Sequence, residues 1–270
     1  MRKAHAGTHL DGRKVLRSSI REFLCSEAMA ALGIPTTLAP SLVTSDLYVS
    51  RDPLNSGRRC SVVLRLAPSF IRFGLSEIFP GRDDFSGLRG PSAGRYDIRT
   101  QLLHHGIETF HPCIQKTHSN RKDRNLAFFS QVMMLTAKLV AQWQCVGFSH
   151  GVLNTDNMSI LDLTLDYGPF GFMDRFDPDL VCNTSDKRGR YSNQAQPSVC
   201  RWSLYFMEML SVGAALDEFM PAYEAFYLSI MRKKLGLVKK KELEDSKLIS
   251  DSIAPHAQTV RLVPCTREPA

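Results

Sequence analysis

The longest regular pattern in this chain is a helical one, and it indicates which helix should lie at the centre of the fold. Apolar residues recur at spacings of three and four, which predicts a long helix with one buried face. These residues are Leu126, Phe129, Met133, Ala137, Val140 and Trp143. The pattern ends near Val146 and Gly147, where glycine supplies a stop. We therefore expect the core to form around this helix.

A shorter helix and two strands precede the long helix. The helical pattern begins at Ser19 and Glu22, which fit a capping box, and it ends at Gly33. Two β-rich runs follow at 41–49 and 60–66, separated by turn-forming residues. A helix that leads into a small sheet predicts a compact α+β unit.

The rest of the chain is mainly helical in pattern. Residues 80–95 form a polar loop between the two regions, and residues 98–107 carry a short amphipathic set. Residues 161–167 alternate apolar and polar side chains, as in a strand or tight hairpin. A final helix is predicted at 222–235. Residues 254–270 show no period and are expected to be disordered.

Composition excludes several classes of protein. Apolar residues make up 43% of the 270 residues and charged residues 23%, so a packed core is expected. No apolar run approaches the ~20 residues of a membrane span. The seven cysteines never occur in CxxC spacing, which argues against a disulfide scaffold or a zinc ribbon. The net charge of +7 suits a phosphate-bearing ligand. We expect no nucleic acid, because aromatic stacking platforms beside basic clusters are not evident.

The residues that carry chemistry lie between His150 and Asp174. Asp156 and Asn157 are followed ten residues later by Asp166, which begins an Asp-Tyr-Gly turn. Mg²⁺ prefers hard oxygen ligands, and protein kinases place an Asp base, an Asn ligand and an Asp ligand in this order. The spacing here is shorter and the HRD sequence is missing. The same residues could instead cap turns, and the pattern alone leaves both interpretations open.

Longer strings resolve this ambiguity by resemblance. They are LDGRKVLRSSIREFLCSEAMAALGIPTT, SVVLRLAPSFIRFG, VAQWQCVGFSHGVLNTDNMSILDLTLDYGPFGFMD and QPSVCRW. These strings closely resemble the selenoprotein O family, protein adenylyltransferases with a kinase-like fold, over about residues 11–248. The resemblance implies a bilobal α+β fold with an incomplete N-lobe at 1–80 and a helical C-lobe at 81–253. Residues 254–270 are expected to form a disordered tail.

The resemblance also implies roles for individual residues. Asp156 matches the catalytic base of the family, and Asn157 and Asp166 match its Mg²⁺ ligands, with Asp166 also at the nucleotide. Arg65 and Arg72 match two arginines that hold the nucleotide phosphates.

Three further residues have counterparts near the nucleotide. Asp11 and Gly12 match a nucleotide-contacting pair. Glu22 matches a helix glutamate that pairs with a phosphate-binding lysine.

The implied reaction is transfer of AMP from ATP to Ser, Thr or Tyr hydroxyls of protein substrates, with Mg²⁺ or Mn²⁺ as the metal. Alternatives are a protein kinase that transfers the γ-phosphate and a non-catalytic pseudokinase fragment that acts as a binding module. Eukaryotic members are mitochondrial, so a mitochondrial location is expected, although the first ten residues are too short for a clear transit peptide.

Departures from the family pattern predict an incomplete version, truncated at both ends, whose ATP binding and activity are expected to be impaired. The Gly-rich segment and the lysine that should pair with Glu22 are missing, and Lys3 and Lys14 lie outside the family's lysine context. Leu38 stands where arginine is usual, and Ser149 replaces a common cysteine. Leu75-Ser76 disturbs a Gly-Ser-Phe-Glu run. Cys265 does not match the terminal redox motif of the family.

Overall fold

The described part of the chain combines seven helices with two small antiparallel sheets in the computed structural model, which covers residues 14–49, 57–79, 89–208, 213–237 and 244–253. The helices are α1 (Leu16–Ala31), α2 (Tyr96–Phe110), α3 (Pro112–Thr117), α4 (Arg121–Cys145), α5 (Gln196–Glu208), α6 (Phe219–Lys234) and α7 (Asp245–Ile253). The strands are β1 (Lys14–Val15), β2 (Leu38–Val49), β3 (Arg58–Leu66), β4 (Phe148–Ser149) and β5 (Gly171–Phe172). The combination of helices and small antiparallel sheets confirms the predicted α+β class.

The first sheet has the order β1-β3-β2, with β3 antiparallel to both neighbours. Lys14 lies opposite Ser61, and Val43 lies opposite Val62. Helix α1 packs against all three strands. The two β-rich runs predicted from the sequence are therefore strands, and each begins two or three residues earlier than expected because β-propensity marks strand interiors better than strand ends.

Helix α4 forms the centre of the core, as its pattern predicted. Asn120 caps its first turn by accepting a hydrogen bond from the Lys122 amide at 2.9 Å. Trp143 is fully buried, and α4 packs against α5 and α6. The large side chains buried with it include Phe73, Phe129, Phe148, Leu153, Tyr167, Leu204 and Phe219. The stretch that follows α4 therefore starts from the buried core.

The capping box predicted at the start of α1 is wrong. The helix begins at Leu16, one turn earlier, and Val15 precedes it without a side-chain cap. Ser19 and Glu22 consequently lie inside the helix, where both are buried. The Ser-x-x-Glu spacing satisfies a capping rule, but here it places a carboxylate on the buried face of α1.

The alternating run at 161–167 forms a tight hairpin rather than a strand. Met158 and Thr164 pair as an isolated antiparallel bridge that closes it. Thr164 also accepts a hydrogen bond from the Thr37 amide at 3.1 Å and donates its own amide to the Pro35 carbonyl at 3.2 Å. The hairpin is thus fastened to the segment that follows α1.

Asp162, at the tip of this hairpin, gives a testable pH dependence. It is 6% exposed, its Oδ1 lacks a hydrogen-bond partner among the described residues, and burial raises its pKa to about 8, with Lys138 acting against the shift. Because the folded state holds this proton more tightly than the unfolded state, the free energy of unfolding should fall as pH rises from about 4 to 8. We expect Asp162→Asn to stabilise the fold by about 1–3 kcal/mol at pH 8 and by much less at pH 5.

Urea unfolding at both pH values measures this effect. Asparagine is the right replacement, because Asp162 has a φ of 61° and asparagine tolerates that conformation. Asp174→Asn, at an exposed position, is the matched control. A gain that is equal at pH 5 and pH 8 would contradict the prediction.

The remaining predicted helices correspond to α2 and α6. Helix α5 was not predicted, since its pattern is interrupted by polar residues. All six described cysteines are free thiols. None of the described helices is long and apolar enough to cross a membrane. Residues 80–88, most of the predicted polar loop, and 254–270, the predicted tail, lie outside the described residues.

Candidate active site

The loop that carries Asp156 is held in place by α5. The buried Gln196 accepts a hydrogen bond from the His150 amide at 2.9 Å and donates one to the Phe148 carbonyl at 3.0 Å. Ser203 donates to the Leu153 carbonyl at 3.3 Å. The backbone before Asp156 is thus fixed by side chains of a helix that the sequence pattern did not reveal.

Gly151 lets this loop approach the segment after Asp166. It has a φ of 78°, and a Cβ atom there would lie 2.6 Å from the Pro169 carbonyl oxygen and 2.8 Å from Cys182 Sγ. No other residue fits both the backbone conformation and the space. The Asn183 side chain donates to the Gly151 carbonyl at 3.0 Å, which completes the junction.

Asp156 itself rests on a second segment, residues 72–77, which we call the supporting segment. The side chain of Asp156 packs directly over Gly74, where a Cβ atom would lie 2.3 Å from Asp156 Oδ1. Arg72 pairs with Ser159 as an antiparallel bridge, and Thr155 donates a hydrogen bond to the Glu77 carboxylate. The carboxylate of Asp156 is therefore positioned by contacts on one side that only glycine permits.

A cluster of three charged residues lies between α1 and the first sheet. Glu22 is 5% exposed and forms ion pairs with Lys14 and, at 2.8 Å, with Arg65. We refer to Lys14, Glu22 and Arg65 as the cation cluster. The expectation that Glu22 lacks a lysine partner is wrong, because Lys14 on β1 is paired beside β3 and its ammonium group reaches back to α1. Sequence context alone did not identify this partner.

Asp166 exerts an electrostatic effect on both cations of this cluster. Burial lowers the pKa of Lys14, while Asp166 acts to raise it and Arg65 to lower it further. Burial also lowers the pKa of Arg65, and Tyr167 and Asp166 oppose that shift. The cluster and Asp166 thus belong to one electrostatic site, with two cations that one buried glutamate only partly neutralises.

His150 also feels the charge of Asp166. It is 1% exposed, and burial lowers its pKa to about 4 although Asp166 acts in the opposite direction. The ring is therefore neutral near pH 7. Its Nδ1 accepts a weak hydrogen bond from the Val152 amide at 3.4 Å, and Trp143 and Phe148 pack around it. These contacts suit a structural role rather than proton transfer.

Tyr167, the residue after Asp166, connects the loop at 166–170 to the cation cluster. Its ring is fully buried and lies 5.3 Å from the guanidinium carbon of Arg65, in a cation–π arrangement. Its hydroxyl is hydrogen-bonded to Thr36. On the far side, Arg21 donates to the Phe170 carbonyl at 2.9 Å and lies 4.6 Å from the Phe170 ring. Arg21 of α1 thus contacts the loop at Phe170, while Thr36 and Arg65 contact it at Tyr167.

Asn157 and Asp166 have the donor atoms that a magnesium ion requires. Asn157 donates its Nδ2 to the Val152 carbonyl at 2.8 Å, which leaves its amide oxygen as the free donor atom. In the described part of the chain, no hydrogen bond to the Asp166 carboxylate is present. One amide oxygen and one carboxylate, completed by phosphate oxygens and water, form an ordinary Mg²⁺ ligand set.

The cation cluster faces a cleft of about 430 Å³, which we call the phosphate cleft. Its lining includes Lys14, Glu22, Arg65, Ser61 and Val63. The volume lies within the usual range for small-molecule sites. The cleft therefore offers positive charge and enough space for part of a nucleotide.

The predicted site residues are not all gathered there. The backbone of Arg72 pairs with Ser159, three residues after Asp156, but the side chain of Arg72 lines a separate, smaller cavity. Asp11 and Gly12 lie outside the described residues.

Comparison with known proteins decides the family. The family described as protein adenylyltransferase SelO matches residues 7–259 of this chain. The chain belongs to the SelO family. Among its relatives, the zebrafish (Danio rerio) protein named protein adenylyltransferase SelO-1, mitochondrial, is 61% identical over 253 residues. That match covers 89% of this chain and 37% of the zebrafish protein.

Two further relatives extend the comparison. The human (Homo sapiens) protein adenylyltransferase SelO, mitochondrial, is 56% identical, over 89% of this chain and 38% of the human protein. The protein nucleotidyltransferase YdiU of Cupriavidus metallidurans is 43% identical, over 87% of this chain and 44% of that protein. The chain thus spans less than half the length of these SelO and YdiU relatives.

Four residues of this SelO chain escaped the sequence analysis, and each has a different reason. Gly74 was quoted only within the family string SVVLRLAPSFIRFG, and Glu77 lay next to a departure from the family pattern. Lys14 was excluded because its neighbours differ from those of the family lysine. Tyr167 was treated only as the middle of a turn, although an aromatic residue after a metal-binding aspartate could have indicated a packing role.

Proposed function

We propose that this chain carries the catalytic and phosphate-binding part of a protein adenylyltransferase, which transfers AMP from ATP to Ser, Thr or Tyr hydroxyls of proteins. The observation that supports this most directly is the cation cluster, which lies beside Asp166 and faces the phosphate cleft. Two cations and a metal-binding carboxylate are the groups that a nucleotide polyphosphate needs. The names of the SelO and YdiU relatives favour nucleotidyl transfer over phosphoryl transfer.

In this proposal, Arg65 and Lys14 bind phosphate oxygens while Glu22 holds both side chains in position. Glu22 is buried on a helix, so it fixes the two cations at little further entropic cost. The planar guanidinium of Arg65 contacts two phosphate oxygens at once. Arg72 remains a predicted phosphate ligand from the resemblance, and so do Asp11 and Gly12 as nucleotide contacts.

Asp156 is the proposed general base. The substrate hydroxyl oxygen forms a bond to the α-phosphorus, and the bond from that phosphorus to the bridging oxygen of the β-phosphate breaks. The hydroxyl proton passes to Asp156, and pyrophosphate leaves with the electron pair of the broken bond. A Mg²⁺ ion held by Asn157 and Asp166, for which Mn²⁺ could substitute, supplies charge neutralisation on the phosphates. The protein contributes position through Gly74 and charge through the cation cluster.

Label transfer tests the proposal against its alternatives. With Mg²⁺ and a mixture of proteins as acceptors, the chain should attach label from α-labelled ATP and none from γ-labelled ATP. Transfer of the γ-label instead would establish kinase chemistry. The absence of both would favour the binding-module alternative, provided that the Asp156→Ala variant serves as the background control and the protein is shown to be folded.

Lys14 provides a second test, which measures binding. Replacing it with methionine keeps the aliphatic stem and removes the charge, so we expect the Kd for Mg²⁺·ATP to rise about 10- to 150-fold, the range for loss of one charged hydrogen bond. Calorimetry measures the Kd directly. Lys187→Met, at an exposed position, is the matched control. An unchanged Kd in Lys14→Met would remove Lys14 from the site.

The kinase-like bilobal arrangement and the location in the cell are also proposals. The small sheet with α1, within residues 1–80, corresponds to a partial N-lobe, and residues 81–253 correspond to the helical C-lobe. The vertebrate relatives are named as mitochondrial proteins, and we propose the same compartment here. Immunofluorescence of the tagged full-length gene product against a mitochondrial marker tests this location.

A further inference from the structure

A second cavity lies beside the supporting segment, and Arg72 is the one residue of the proposed reaction that also lines it. It measures about 40 Å³, and we call it the apolar pocket. Leu103, Phe128 and Ile160 form much of its wall, and Arg72 and Arg99 also line it. The pocket therefore combines an apolar interior with positive charge, while the described part of the chain contributes no acidic residue to its lining.

Arg99 is partly exposed and contributes a positive charge at the wall of the pocket. Its guanidinium carbon lies 5.5 Å from the centre of the Tyr96 ring. The ion pairs present in the described residues do not include Arg99. A cation at the wall of an apolar cavity, without a carboxylate of its own, favours a ligand that brings one.

The apolar pocket is close to the proposed catalytic base. Arg72 lines it, and Gly74, two residues along the chain, contacts Asp156. Because consecutive Cα atoms lie 3.8 Å apart, the Cα atom of Arg72 is within about 10 Å of the Asp156 carboxylate. An extended peptide covers that distance in about three residues.

We infer that the apolar pocket binds an aliphatic side chain of the protein substrate, with an adjacent Asp or Glu facing Arg99, two to four residues from the hydroxyl that is modified. This inference rests on the proposed function for the identity of the substrate. The volume of about 40 Å³ has room for roughly three to four groups the size of a water molecule, which suits the three or four carbon atoms of a Val or Leu side chain. A fatty acyl chain needs far more room, so a protein segment fits better than a lipid.

Gly106 allows the pocket to be reduced without harm to the fold. It lies inside α2, and a Cβ atom there would contact Ile160 and Phe128 at 3.6 Å, an ordinary distance. Alanine also favours helix more than glycine does. Gly106→Ala should therefore fold at least as stably as the wild type, which a thermal melt verifies, while its methyl group occupies space in the pocket.

The first experiment measures binding without nucleotide. The probe is a fluorescein-labelled peptide of alanine and glycine in which leucine and glutamate follow a single serine by three and four residues. We expect fluorescence polarisation to show saturable binding by the wild type. Gly106→Ala in the protein, or alanine for leucine in the peptide, should weaken it about 10- to 150-fold, the range for loss of one buried aliphatic side chain.

The charge requirement has its own control. Arg99→Gln should weaken binding of the glutamate peptide about three- to tenfold and should leave a glutamine-containing peptide unaffected. Arg188→Gln removes the same charge from an exposed loop and should change neither. Binding that is insensitive to Gly106→Ala, or that falls equally in Arg99→Gln and Arg188→Gln, overturns the inference.

A transfer assay separates this inference from the proposed function. With α-labelled ATP, Gly106→Ala should lose label on the leucine peptide and keep label on a peptide with alanine at that position. Leucine-dependent binding without any AMP transfer would retain the pocket and reject the reaction. AMP transfer in the wild type that is equal for both peptides would retain the reaction and reject the pocket.

Discussion

Asp166→Asn should abolish Mg²⁺-dependent binding of ATP, whereas Asp156→Asn should leave the Kd within about threefold of wild type and lower AMP transfer by at least 100-fold. Asp166 is the only carboxylate in the proposed metal site, and an uncharged amide there weakens the hold on a divalent cation. In the proposed mechanism Asp156 acts on the hydroxyl of the substrate, so its loss should affect turnover. Calorimetry with Mg²⁺·ATP, with and without EDTA, measures the first effect.

Both substitutions keep the size of the side chain, so changes of packing are minimised. Asp174→Asn at the surface is the matched control for each. Wild-type binding by the Asp166→Asn variant would show that the metal assignment is wrong. Loss of binding in both variants would instead indicate that Asp156 also belongs to the metal site.

Gly74→Ala should lower the rate of AMP transfer by at least 100-fold with little change in the Kd for ATP. The added methyl group would lie 2.3 Å from Asp156 Oδ1, which forces the carboxylate to move. A displacement of about 1 Å at a catalytic group is enough for an effect of this size. Leu75→Ala, at the next residue and with an exposed side chain, should have almost none.

A double-mutant cycle tests the cause. If the defect of Gly74→Ala arises from the collision with Asp156, the double variant with Asp156→Ala should be no less stable than Asp156→Ala alone. Urea unfolding of the four proteins gives the coupling energy. Additive losses of stability would show that Gly74 is needed by the backbone rather than by Asp156.

Local patterns predicted the elements that depend on local physics. The helical periodicity predicted α4, and the two β-rich runs predicted β2 and β3; both predictions are confirmed. The capping box at Ser19 failed because tertiary contacts of Glu22 with Lys14 and Arg65 outweigh a local hydrogen bond. A spacing rule cannot distinguish a capping glutamate from a buried ion-pair partner.

The proposed chemistry was easier to predict than the contacts that position it. Asp156, Asn157 and Asp166 stand in a dense motif whose pattern alone left turn capping open, and the family resemblance carried the prediction of their roles, which stays a prediction. Gly74 supports Asp156 across 82 positions of sequence, as a contact seen only in three dimensions. Arg72 was predicted to bind phosphate because of its position in the family string SVVLRLAPSFIRFG. A sequence string does not show that its side chain lines the apolar pocket.

The fastening of Thr164 to residues 35–37 sets the order in which the molecule can assemble. These hydrogen bonds join positions 127 to 129 residues apart. Closing a loop of that length costs about 4 kcal/mol of chain entropy, which the contacts offset only after they have formed. The hairpin between Asn157 and Asp166 is therefore expected to settle late, after α4 has formed and α1 has met the sheet. Nascent chains should acquire protease resistance in α4 well before they can retain a nucleotide.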